Sequence, residues 1–389
     1  MLNENQPEFV TKTKTIAREV AARFADDVDR KSRFPTETFD ALRQAKVLAV
    51  AAPREFGGAG ASMEELAAMC TALAQGCGSS GMILAMHHIQ VACIARHSHG
   101  SPYFREYMKH VIEHQPLIAS ITSEVGVWGD TRQSICALQR EGGKFTLDKD
   151  ATTISYAEAA EDLLATCRRN PDAPGSDQIL VLLRKGDYTL ERTSNWDTLG
   201  LRGTCSPGYK VKSHGSVDQV LAGSFADASA QTMVSYSHIL WAAVWFGMAT
   251  DAYNRASAFV RSEARKNPGV MPPKATHLAR LAVQLQAMRN LVTAQAQDFD
   301  EHMARPTGMD DLLTIGWALK MNNVKVAASE AAPKIVHEAL QIIGITGYKN
   351  DSKYSVGRQY RDTLSAALMI SNDRIFHKTA SMLLVYKDE

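Results

Sequence analysis

The sequence predicts an α+β multidomain chain: an N-terminal helical domain, a middle β-barrel or sandwich, and a C-terminal helical bundle. Three observations predict it. Apolar residues recur at helical spacing from Phe9 to about Gln115. Short apolar runs separated by Gly- and Pro-containing turns then fill the stretch after Pro116. From about Asp227 helical spacing returns, over much longer segments. The expected units are residues 1–116, 117–226 and 227–389, since 389 residues exceed one ordinary core and domains commonly run roughly 100–200 residues.

Each element has a local reason. Phe39, Leu42, Val47 and Leu48 mark a helix that stops at Ala52-Pro53, and the glycines of Arg54–Gly60 make a turn. Met63 to Leu73 is helical with Ser62 as N-cap, and Gly81 to His97 forms another helix. Leu117–Ile121 is a short strand, and Gly142-Gly143 splits Ile135–Leu147 into a hairpin. Asp162–Cys167 and Ile179–Leu183 are strands joined by the Pro- and Gly-containing loop 169–177. In the last unit Leu278, Leu281, Leu285, Met288 and Val292 form a narrow helical seam. Leu312, Ile315, Leu319 and Val326 predict a further helix, and Ile335–Ile343 a third, giving four or five helices in the bundle.

Composition excludes several classes. With 43 basic and 42 acidic side chains the net charge is +1, which argues against a nucleic-acid partner. The six cysteines form no CxxC pair and no His cluster completes a metal pattern, so no metal is expected and the thiols read as buried apolar groups in a reducing compartment. The charged first thirty residues lack the apolar centre of a secretory signal. The most apolar window, Ile239–Ala249, is about half a membrane span. A cytoplasmic location is expected.

No single stretch supplies a nucleophile with its base or a phosphate-binding GxGxxG. Four segments in order carry more: Ser123–Asp130 (SEVGVWGD), Trp196–Ser206 (WDTLGLRGTCS), Ala339–Tyr348 (ALQIIGITGY) and Tyr360-Arg361-Asp362. Together they resemble the acyl-CoA dehydrogenase family, over nearly the whole chain from about Phe34 to Leu384. That resemblance implies an α-helical domain, a β-barrel and a C-terminal four-helix bundle, with FAD as cofactor. It also implies α,β-dehydrogenation of an acyl thioester with hydride passing to flavin, an electron-transfer flavoprotein as partner, and a dimer or tetramer sharing its cofactor sites.

The resemblance assigns roles residue by residue. Ser123 stands where the family's flavin platform usually has Thr; Val125 and Gly129 replace its usual Pro and Ser. Thr153-Ile154-Ser155 resembles Trp-Ile-Thr, so Ser155 keeps the hydroxyl aimed at the flavin while the aromatic wall is lost. The Gly200–Thr204 turn, with Arg202, reads as a structural brace. Arg261 or Arg265 resembles the arginine that reaches the pyrophosphate from a neighbouring subunit. Gln341 and Gly344 match the run that approaches the dinucleotide, with Ile345 in place of its second Gly, and Asn372 is a further expected cofactor contact.

The catalytic base is not assignable. Dehydrogenation needs a carboxylate tuned to act near neutral pH. Counting from Arg361-Asp362 puts Ile370 at the base position of one branch of the family, and the earlier position used by a second branch, in Val234–Ile239, has no carboxylate and offers only His238. Asp373 lies three residues on and would face differently. Three expectations follow: a dehydrogenase with an unmapped base, a flavin monooxygenase on the same scaffold, or a catalytically silent partner subunit.

Overall fold

The computed structural model describes residues 7–387. The chain opens with α1 (Glu8–Ile16) and α2 (Ala22–Lys31), joined by a π-helical turn, followed by α3 (Thr36–Gln44). Then come α4 (Met63–Gly76), α5 (Gly78–His97) and α6 (Pro102–His114). Ser62 caps α4 with a full capping box, its hydroxyl accepting from Glu65 N while the Glu65 carboxylate accepts from Ser62 N. Helix α5 is buried on nearly every face, which is why its sequence shows little amphipathic contrast.

The middle unit holds two sheets. The first has order β1 (Ile118–Ile121), β4 (Asp162–Arg168), β5 (Gln178–Leu183), with β1 parallel to β4 and β4 antiparallel to β5. The second has order β2 (Gln139–Glu141), β3 (Lys144–Ala151), β7 (Tyr209–Ser216), β6 (Tyr188–Arg192), all antiparallel. Strand β3 alternates exposed and buried residues, as a strand with one wet face must. Strands β4 and β5 are buried except at the half-buried Arg168, because the helical domain covers one side and the second sheet the other. The Gly142-Gly143 turn joins β2 to β3, with positive φ at both glycines.

A 3-10 turn (Val217–Gln219), α7 (Phe225–Ala228) and a π-helical turn (Ser229–Met233) lead into the bundle. Its long members are α8 (Val234–Lys266), α9 (Ala275–Met303) and α11 (Ile315–Ile343), with the short α10 (Gly308–Asp311) between the last two. Helices α12 (Ile345–Tyr348), α13 (Gly357–Leu364) and α14 (Asn372–Leu383) finish the described chain. One expectation needs correcting: the stretches around Ile315 and Ile335 are not two helices but the single α11, which continues through Pro333. Pro removes one ladder bond, but Ala332, Ile335 and Val336 are buried against the bundle, and packing outweighs that local loss.

The N- and C-terminal helices share one core. Thr71 on α4 donates to the Ala243 carbonyl of α8, and a Cβ at Gly247 would sit 2.4 Å from the Thr71 oxygen, so only glycine allows that approach. No helix among the described residues is long and apolar enough to cross a membrane.

Candidate active site

Three of the four sequence segments, the first, second and fourth, are held by named bonds. The first and the Thr153–Ser155 turn are joined at Ser123, whose hydroxyl donates to Thr153 O at 2.7 Å and accepts from Thr153 N at 3.1 Å. Ser155 accepts from Ser206 at 2.8 Å, and Ser206 lies 2.9 Å from the Thr204 hydroxyl. Half-buried Ser155 thereby keeps its own O–H for a ligand, which fits the cofactor role its position implies. Beside these hydroxyls the 125–135 loop exposes Val125, Trp128 and Ile135, with Trp128 88% exposed. Large apolar side chains left bare on one loop fit a surface that a planar ring system covers.

Beneath that loop lies a buried ion pair. Glu124 accepts from Ser134 Oγ (2.7 Å), Ile135 N (3.1 Å), Cys136 N (2.6 Å) and the Lys149 ammonium (3.1 Å). Lys149 also donates to Thr166 O at 2.8 Å. Burial alone would raise the Glu124 carboxyl, but Lys149 and the donated bonds outweigh it and hold it below the usual range.

The second and fourth segments brace one another. Arg202 donates to Asp29 O, Asp197 Oδ1 and Thr198 O, which bears out its reading as a structural arginine. Asp362 accepts from Leu201 N at 2.7 Å, and Arg361 pairs with Asp29 and donates to Leu199 O. A Cβ on Gly200 would lie 2.2 Å from the Arg361 carbonyl oxygen. Burial pushes the Asp362 carboxyl up to about 6, against the pull of nearby Arg358.

The remaining predicted residues sit on the bundle. Gln341 and Gly344 are exposed at the C-terminal end of α11. Gly344 has φ 70 and ψ −148, a region open only to glycine. Arg261 bonds to Ser257, Arg265 bonds to Arg261 O, and both are exposed, so the fold does not choose between them. Asn372 is buried at the start of α14, its Oδ1 accepting from Lys325 at 2.7 Å and its Nδ2 donating to Ser329 at 3.1 Å. Its polar atoms are therefore occupied inside the protein.

The base positions hold no carboxylate. Ile370 has φ 51, a left-handed conformation strained for a β-branched residue, and its side chain is 42% exposed. Its carbonyl accepts from Lys325 Nζ at 2.7 Å. His238 is buried and its Nδ1 sits 3.0 Å from the Met321 carbonyl, which fixes Nδ1 as the protonated nitrogen. Burial lowers it to about 4, and Lys325 adds to that, so it is neutral at pH 7. Asp373 is exposed.

Sequence reasoning missed Lys325, a fully buried ammonium at the hinge of this turn, lowered to about 8 by burial. A signal was available: it is a lone lysine amid Val324, Val326, Ala327 and Ala328, on the buried face of a helix. Arg374 was missed too; its guanidinium donates to Trp128 O and ties α14 to the first segment. Among the described residues no group of His, Cys, Asp and Glu could hold a metal.

The chain matches the models for the acyl-CoA dehydrogenase N-terminal domain over residues 3–111 and C-terminal domain over residues 228–370. It is 23% identical over 386 residues to the 3-(aryl)acrylate reductase of Clostridium sporogenes (strain ATCC 15579), covering 95% of each chain. Its fold is that of the butyryl-CoA dehydrogenase of Megasphaera elsdenii, at TM-score 0.83 and 19% identity over 99% of each chain. It is equally that of FMN-bound TdsC, a dibenzothiophene monooxygenase of Paenibacillus sp. A11-2, at TM-score 0.83 and 16% identity over 98% of each chain.

Proposed function

Because the chain belongs to the acyl-CoA dehydrogenase family, and is on that ground a flavin-dependent oxidoreductase, we propose that it is a monooxygenase working through reduced flavin. The observation that carries this reading is the turn at Ile370. Abstracting a proton beside a thioester carbonyl requires a nearby base. Here an isoleucine occupies that place, clamped by a buried ammonium, and the earlier position offers no carboxylate, its histidine being neutral and tied to a backbone carbonyl. Oxygen activation needs no such base.

Flavin, when bound, supplies two electrons from its reduced form and the reaction with dioxygen. The chain's own residues do the rest. Ser155 offers an O–H donor to the cofactor edge, with Ser206 and Thr204 holding its orientation. Ser123 locks the platform to the Thr153 backbone. Lys325, through the Ile370 carbonyl, holds the turn that leads into α14, and Arg374 on α14 donates to the Trp128 carbonyl.

The cofactor form proposed is FAD, since Gln341, Gly344 and Arg261 or Arg265 lie exposed where a second copy would present them to a dinucleotide. The same placement makes a dimer or tetramer the expected assembly. Leu364, Leu368, Phe376, Leu384 and Val385, all exposed near the C-terminal end, give such an assembly apolar surface to cover.

Anaerobic titration tests the reading. The expected result is that butyryl-CoA leaves the oxidised flavin absorbance unchanged, while the chemically reduced protein consumes oxygen and transfers it to substrate. Bleaching by an acyl thioester would establish dehydrogenation instead, with an electron-transfer flavoprotein as the electron acceptor. Bound flavin with neither response would point to a silent partner subunit.

A further inference from the structure

Along α8 the residues His238, Trp241 and Trp245 follow at three and four positions and so form one stripe. Two contacts set that stripe against α11: His238 Nδ1 on the Met321 carbonyl at 3.0 Å, and the Lys325 ammonium 5.8 Å from the Trp245 ring centre. His238 and Trp241 lie with ring centres 6.3 Å apart. The turn that carries Ile370 and Asn372 adjoins the stripe through the two bonds from Lys325.

The chemistry of this cluster is one-sided. The indole N–H groups of Trp241 and Trp245 are buried and have no hydrogen-bond partner. A buried donor left unmet is costly, and here two such donors lie one helical turn apart. Lys325 is fully buried, yet its bonds go to two neutral acceptors, a carbonyl and a side-chain amide oxygen. No carboxylate forms an ion pair with it among the described residues. Its third N–H has no acceptor of its own among those bonds. Unmet donors and an uncompensated positive charge therefore share one region, walled by flat aromatic rings.

We propose that the region between α8, α11 and the 369–372 turn binds the carboxylate of a small aromatic acid. A carboxylate brings the missing negative charge and enough lone pairs for two indole N–H groups and an ammonium hydrogen. An aromatic body would stack on the tryptophan rings. The inference rests on the oxygenase reading in naming this as the substrate's site, and it specifies that substrate's class. Ile370 contributes through its conformation: the Lys325 bond holds it left-handed, and its side chain is partly exposed as an apolar edge where a base would stand.

The test is titration of the flavin-loaded protein with benzoate, followed by tryptophan fluorescence and calorimetry, with benzamide as the uncharged match. Benzoate is expected to bind at least about tenfold tighter than benzamide. Trp241→Phe and Trp245→Phe, which keep a ring and remove only the N–H and some volume, are each expected to weaken benzoate about tenfold. Benzamide affinity and flavin content are expected to hold. Equal binding of the two probes, no binding, or variants that bind benzoate like the parent would overturn the proposal. The function reading fails separately. Bleaching by butyryl-CoA removes the oxygenase assignment whatever benzoate does, while oxygen consumption without selective benzoate binding removes the carboxylate site alone.

Discussion

Replacing Glu124 with alanine is expected to destabilise the β-domain by about 3–5 kcal/mol, the range found when one member of a buried ion pair is removed. The figure follows from what the side chain holds. Its carboxylate accepts the Lys149 ammonium, the Ser134 hydroxyl and the backbone N–H groups of Ile135 and Cys136. With it gone, Lys149 keeps Thr166 as partner but loses its only counter-charge while almost wholly buried. The two backbone donors lose their acceptor as well, and one lies in the buried Cys136. These penalties overlap, since the loop relaxes once, so they do not add in full. The double variant Glu124→Gln/Lys149→Met should recover to within about 1–2 kcal/mol of the parent, because the amide oxygen still accepts and no charge remains buried. Urea unfolding followed by tryptophan fluorescence measures both, and flavin content reports the platform above the pair. A loss below about 1 kcal/mol in Glu124→Ala would mean that water reaches Lys149 and that the pair does not organise this loop.

Three further outcomes are expected. Gly200→Ala places a Cβ against the Arg361 carbonyl and the Asp362 amide, both backbone, so it should cost at least about 2 kcal/mol; a parent-like urea midpoint would show that this contact is looser than described. Asp362 has a folded-state value near 6 against 3.8 for the free group, so the folded protein binds a proton more readily than the unfolded one between those values. Its charged form therefore works against folding, and its contribution improves as pH falls from about 6 to 4, by roughly 3 kcal/mol at most. Asp362→Asn should flatten that window in stability measured from pH 7 to 4, and an unchanged profile would refute the assignment. Ser155→Ala should leave flavin bound and stability within about 1 kcal/mol, yet slow the reaction of bound flavin about ten- to a hundredfold in stopped flow; unchanged rates would remove Ser155 from the cofactor edge.

The helical units were legible because helical periodicity is local, and Ser62 as N-cap marked a boundary that the structure places at the start of α4. The β-domain was legible from its turns, although β2 spans only Gln139–Glu141, much shorter than the apolar run before Gly142 suggested. The apolar runs around Ile315 and Ile335 read as two helices when weighed separately, while Ala332, Ile335 and Val336 are buried along the one continuous α11. At the site, what depends on spacing was readable: Ser123 beside Thr153, Ser155 beside the 204–206 turn, Gly344 in a glycine-only conformation. What depends on approach between distant segments was not. Lys325 reaches Ile370 and Asn372 across 45 and 47 positions, and no local pattern announces such a bond. That is also why Asn372 was read as a cofactor contact, while its side chain is engaged by Lys325 and Ser329.

The exchange at this turn goes beyond the loss of a base. A carboxylate there would bring negative charge and a lone pair that accepts a proton. The chain instead carries an apolar side chain at Ile370 and, behind its carbonyl, an ammonium with no counter-ion among the described residues. The field at the site is thereby reversed: it opposes cations and steadies negative charge, whether carried in by a ligand or developed during reaction. Restoring a carboxylate would have to work against that field. A glutamate at 370 would be drawn toward Lys325, which favours its ionised form and weakens it as a base. The single substitution Ile370→Glu is therefore expected not to produce bleaching by butyryl-CoA. Anaerobic bleaching in that variant, with its absence in the parent, would show that the missing carboxylate was the only barrier to dehydrogenation and that the reversed field is not decisive.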